Sequence, residues 1–241
     1  SSRPRMPDRS SRPRWLPLLF NMNRRAPMIA GVAFAVLYAA AVLVLPALPN
    51  PEPGVVRIQA LLLTFSVLAV VVVLAFARDR LAGPPAHLFT IGSAVTVAQL
   101  CITAWFVAGP ALRPGQVTVG TARAIDDIAA MWLPVATIAH ILVAIPILLI
   151  ANEGQLPGWL GTAAAVFTVE QLLETITIIG PPGSFISPGG PMNHYLGGAL
   201  TAAFFLALGI ALTPPEPAAT ASPPDDTPTE EMSAAEEVRG D

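Results

Sequence analysis

Apolar stretches of about 20 residues or more recur at 27–48, 55–77, 87–109, 125–151, 157–179 and 193–213. A helix crosses the hydrocarbon core of a bilayer in about 20 residues, so the pattern predicts six spans. The breaks between them, "PALPNPEPG", "RDRLAGPPA", "GPALRPGQ", "NEGQLPG" and "GPPGSFISPGGP", cluster proline and glycine, which end helices and mark short loops. A membrane β-barrel would instead show segments of about 10 residues with alternating polarity. The composition agrees, since only 12% of residues are charged and the mean hydropathy is +0.63, against about 25% charge in an ordinary soluble domain. The expected fold is all-α, a polytopic transmembrane helix bundle of six spans.

The chain divides into three regions: a basic N-terminal arm at 1–26, the bundle at 27–213, and a tail at 214–241 rich in proline, alanine and acid. The tail has no apolar period to bury, which predicts disorder. Orientation rests on arginine, because the chain has no lysine. Arg3, Arg5, Arg9, Arg12, Arg14, Arg24 and Arg25 all precede the first span, so the positive-inside rule puts the N-terminus in the cytoplasm, and six spans return the C-terminus there. Arg78 and Arg80 fall on the same side, whereas Arg57, Arg113 and Arg123 fall on the other. The first run is longer than a signal-peptide core and ends without a small-residue cleavage pattern, so it reads as an anchor. The chain opens on Ser1, which makes Met6 and Met22 candidate starts. Cys101 stands alone and leaves no internal disulfide to form.

Within the fifth run lies "FTVEQLLETITI". Glu170 and Glu174 are four apart and share a helix face, which Thr177 continues, while Thr168, Gln171 and Thr175 form a neighbouring stripe. A single charge near the bilayer centre costs about 2.5–3.5 kcal/mol even on the most lenient scale, and two stacked carboxylates repel each other. At least one is expected to carry a proton or to meet a partner from another helix. Counted from the middle of each span, Glu170, His140 and Gln99 are near the midplane and are expected to meet. Glu174, Asp126, Asp127, Arg57, Gln59, His194 and Tyr195 lie toward the outer face. Asp126, Thr137 and His140 fall within about 40° of one line on the fourth helix, which Pro134 and Pro146 interrupt. The expected result is an outward-opening polar cavity.

Simpler roles exist for several of these residues. Asp126 and Asp127 suit the first turn of a helix. The small-residue rows Gly31, Ala35, Ala39 and Gly198, Ala202 suit helix seams, and Trp132, Trp159 and Tyr195 suit the interfacial aromatic belt. His140, His194 and the acids form a donor set fit for a divalent metal, but no HExxH and no cysteine pair accompanies it. A haem between the histidines would need them at one depth. Ser184 and Ser187 lack a nucleophile elbow and a base. No cofactor is therefore expected, and no nucleic-acid partner. An interior acid with polar neighbours and access to one side suffices to bind a proton or small molecule. No internal repeat is visible, although a homo-oligomer would supply symmetry.

The stretches "GVAFAVLYAAAVLVL", "TARAIDDIAAMWLP" and "LPGWLGTAAAVFTV" resemble those of uncharacterised six-helix integral membrane proteins of actinobacteria, a domain-of-unknown-function family. The resemblance covers about 27–213 and implies a bacterial plasma-membrane protein of the same architecture, with no catalytic residue to carry over. The sequence therefore predicts a multi-pass protein that handles a small molecule or proton without enzymatic chemistry. Its candidate residues are Glu170, Glu174, His140, Gln99, Gln171, Asp126, Asp127 and His194. A membrane-embedded metal-dependent enzyme and a structural subunit of a membrane complex are the alternatives.

Overall fold

The computed structural model describes residues 16–47, 52–113 and 115–214, with side chains in the first helix from Arg24 onward. Most of the basic arm and nearly all of the acidic tail lie outside these residues. Among the described residues there is no strand, and six helices are long and apolar enough to cross a membrane. Helix α1 (Leu16–Ala39) continues through a π-helical segment (Ala40–Val44) and a 3-10 turn (Leu45–Ala47). Then come α2 (Pro53–Arg78), α3 (Gly83–Ala111), α4 (Val119–Asn152) and α5 (Gly158–Ile176), the last ending in a 3-10 turn (Thr177–Ile179). A second π-helical segment (Met192–Gly197) leads into α6 (Gly198–Ala211).

Short loops make sequence neighbours antiparallel, and each helix packs on the next. Contact of α1 with α6 closes the ring, and the thinnest seam is between α5 and α6. Lipid tails are as apolar as leucine, so burial alone cannot hold such helices together; close van der Waals approach must. The tightest approach joins α1 to α6. A Cβ on Gly209 would stand 2.5 Å from the Pro27 carbonyl oxygen and 3.0 Å from the Gly31 Cα, and one on Gly31 would meet the Phe205 carbonyl at 3.2 Å. Gly198 meets Val42 and Leu43 in the same way, both at 3.1 Å. Gly31 and Gly198, which open the two small-residue rows, are at helix seams, as expected of them.

Two boundaries differ from the sequence reading. Helix α1 begins at Leu16, ahead of the apolar run. Helix α4 begins at Val119, where the Thr118 hydroxyl accepts from the Thr121 N–H at 3.2 Å. Asp126 and Asp127 are therefore two turns inside α4, and Thr118 supplies the cap expected of them. Arg57 also has a local use. Its Nη2 donates to the Ala111 carbonyl at 2.9 Å and its Nε to the same oxygen at 3.2 Å, which satisfies the C-terminal end of α3.

The α1–α6 seam has no room for a methyl group. Gly209→Ala is expected to cost about 1–3 kcal/mol of stability through overpacking, measured by equilibrium unfolding in mixed detergent. An alanine on an outward position such as Val166 is expected to change it far less.

Candidate functional site

Helix α5 turns its polar side inward. Leu160, Gly161, Ala164, Phe167, Glu170, Gln171, Glu174 and Thr177 are buried, whereas Val166, Val169, Leu172, Leu173 and Ile176 are more than half exposed on the opposite side. Period and chemistry agree, because the buried positions recur at the three- and four-residue steps of one helix face.

Gln171 occupies the centre of this face. Its Nε2 donates to Glu170 Oε2 at 2.7 Å and to Glu174 Oε2 at 2.9 Å, and its Oε1 lies 2.7 Å from His140 Nδ1 on α4. With both amide hydrogens given to carboxylates, the amide oxygen can only accept. His140 Nδ1 must therefore carry a hydrogen, and Nε2 is the ring nitrogen left for another partner. Below Gln171, the hydroxyls of Thr137 and Thr175 meet at 2.6 Å, and Thr175 donates to the Gln171 carbonyl at 2.8 Å. These bonds hold α4 and α5 in register.

Glu174 has a second set of neighbours on the other side. Asn193 Nδ2, in the π-helical segment before α6, donates to Glu174 Oε1 at 3.0 Å. The Thr177 hydroxyl lies 3.0 Å from Asn193 Oδ1 and 2.7 Å from the Glu174 carbonyl. Gly197 makes space for the carboxyl group, since a Cβ there would be 2.5 Å from Oε1 and 2.7 Å from Oε2. Glu170 is less well served. Its Oε1 is buried with no hydrogen-bond partner among the described residues.

Beside this cluster is a cavity of about 520 Å³, within the usual range of small-molecule sites. Its walls include the C-terminal half of α1 at Tyr38, the start of α2 at Gln59, the end of α3 at Gln99 and Thr103, and α4 from Asp126 to His140. Glu174 and the segment Asn193–Thr201 complete it. Each contribution comes from the end of its helix near the α1–α2, α3–α4 and α5–α6 connections, so the cavity belongs to one end of the bundle. From Asp126 to His140 it extends about 21 Å along α4 at 1.5 Å per residue. Phe34, Phe167, Phe204 and Phe205 are one turn or more further in and stack or abut edge-on. His140 rests against Phe167 and Phe205, and none of the four phenylalanines lines the cavity.

The structure brings His140, Gln171, Glu170 and Glu174 into one hydrogen-bonded cluster. It places Gln99 on the cavity wall with no bond to Glu170, and the Gln99 side-chain oxygen has no partner among the described residues. Asp126 and His194 also line the wall, while Asp127 is exposed and does not. His194 packs edge-on against Tyr195, ring centroids 5.0 Å apart. Among the described residues, no three His, Cys, Asp or Glu side chains are placed to share a metal ion. Sequence reasoning missed Asn193, Tyr38 and Thr201. It also placed Trp132 in the interfacial belt, whereas Trp132 lines the cavity with its Nε1 buried and without a partner among the described residues. Helical spacing held the signal for Trp132, which is three residues from Ala129 and four from Ala136 on the inner face of α4.

No family model, curated protein or solved structure matches the chain. The site must be understood from its own geometry.

Removing the shared amide should strand three groups at once. Gln171→Leu is expected to cost at least about 2 kcal/mol in equilibrium unfolding, because each unsatisfied buried polar group costs about 1–3 kcal/mol. The two acids should respond differently to neutralisation. Glu170→Gln keeps an acceptor for Gln171 and is expected to leave stability within about 0.5 kcal/mol of wild type. Glu174→Gln points an NH2 at an N–H donor whichever way it turns, and should cost about 1 kcal/mol. Losses of about 3–5 kcal/mol for Glu170→Gln would reveal a paired charge instead.

Proposed function

We propose that the protein is a multi-pass protein of the bacterial plasma membrane that binds a small molecule in the cavity, with the Glu170–Gln171–Glu174–His140 cluster as its proton-exchanging wall. It works without enzymatic chemistry. The observation that carries this reading is a cavity with an acid on its wall, linked through the Gln171 amide to a second acid and an imidazole, where hydrocarbon should be. Such groups are costly in a membrane and mark ion, proton or ligand sites by default. The weight of arginine before the first span supports cytoplasmic termini, which makes the cavity open to the outside. The resemblance to six-helix actinobacterial proteins supports the same membrane.

Cavity occupancy is tested with benzophenone, a neutral photoreactive probe, on the full chain in nanodiscs. Irradiation is expected to label α4 around Trp132 and, independently, the outward-facing Trp105. Ala136→Trp places a bulky ring in the cavity and should suppress the first label while leaving the second. Labelling of α4 that ignores Ala136→Trp would overturn the reading.

A further inference from the structure

Of the described residues that line the cavity, Asp126 and Glu174 are the carboxylates, no arginine is among them, and His140 and His194 are the basic side chains. Arg57, the nearest cation along α2, is turned to the carbonyls that end α3. The acids are set at different depths. Asp126 is exposed and Glu174 is 5% exposed; Thr175, next to Glu174, is level with Thr137, about 16 Å along α4 from Asp126 at 1.5 Å per residue. Between them the wall presents the aromatic rings of Tyr38, Phe106 and Trp132, with Phe106 and Trp132 centroids 6.2 Å apart. Ring faces attract cations, more strongly when water is excluded. Gln99 adds an acceptor oxygen with nothing bonded to it. The described wall thus sets two carboxylates, a free acceptor oxygen and three aromatic rings among aliphatic side chains, with the indole Nε1 of Trp132 as a free donor and the imidazoles of His140 and His194 as its basic groups.

Resting on the cavity-binding reading above, we infer that the ligand is an amphiphilic organic cation, an apolar body bearing an ammonium or comparable centre that comes to rest near Glu174. Asp126 attracts it at the mouth, the rings of Phe106 and Trp132 take the apolar body, and Glu174 meets the charge. Gln171 and Asn193 hold the Glu174 carboxyl in place against Gly197, so the acceptor is positioned before the ligand arrives.

Tetraphenylphosphonium and tetraphenylborate share shape and size and carry opposite charge, which isolates the sign. Their ability to block benzophenone labelling of α4 is measured in nanodiscs of zwitterionic lipid, alongside direct binding of radiolabelled tetraphenylphosphonium. The cation is expected to bind saturably and block labelling. The borate is expected to do neither. Glu174→Gln should weaken cation binding at least about tenfold, with benzophenone labelling retained as evidence that the cavity persists. Asp126→Asn, an exposed change that leaves the core intact, should weaken it severalfold and slow association, which decides the matter even if Glu174→Gln misfolds. Equal blocking by both ions, or cation binding indifferent to both substitutions, would overturn the charge preference while leaving cavity binding in place. Loss of the α4 label in wild type would remove both.

Discussion

A carboxylate inside hydrocarbon has no bulk water to bond to, so its partners must come from the protein, and much of that demand converges on Gln171. One amide gives both hydrogens to Glu170 and Glu174 and its oxygen to His140. A leucine would fit the apolar run better and would leave three groups unserved. The amide also couples them: any change of proton on one acid alters a hydrogen bond shared with the other and, through the oxygen, with the imidazole.

The helix packing prepares this arrangement. Close approach of α1 and α6 at Gly31 and Gly209 ties two helices that are far apart in sequence, and it brings their π-helical segments side by side at the level of the cavity. A π-turn adds a residue to the helix and rotates the adjoining residues about its axis, a device found often at functional sites. Here it directs Asn193 and Gly197 to Glu174. The seam between α5 and α6 is the thinnest in the ring, and the Glu174 carboxyl group bridges it to Asn193. Helices α4 and α5, by contrast, are locked through Thr137 and Thr175, so the acids have one firm wall and one lighter one.

Much of the fold was legible because a bilayer imposes length and hydropathy on each span, and the acid stripe of α5 was legible because four-residue spacing survives in any helix. The misses have physical reasons. The apolar run of the fourth span starts six residues after α4 itself because "VGTARA" is too polar to count as apolar, although it is helical and capped by Thr118. Depth puts Gln99 level with Glu170, yet depth says nothing of rotation, and Gln99 turns to the cavity. Distance from a span end assigns Trp132 to the interface, a measure blind to which side of the helix it occupies. The π-helical segment Met192–Gly197 has no signature in periodicity, so Asn193 could not be tied to Glu174 beforehand.

The arrangement of protons at the centre is the claim on which the others depend, and 15N nuclear magnetic resonance of histidine-labelled protein in nanodiscs reads it directly. With His140 assigned by comparison with His140→Gln, the expected result is a hydrogen on Nδ1, coupled to a hydrogen bond that disappears in Gln171→Leu. A ring protonated on Nε2 alone would mean that Gln171 faces His140 with its NH2 and the acids with its oxygen. The amide would then repel the carboxylates it is held to satisfy, and the proton arrangement described for the site would be wrong.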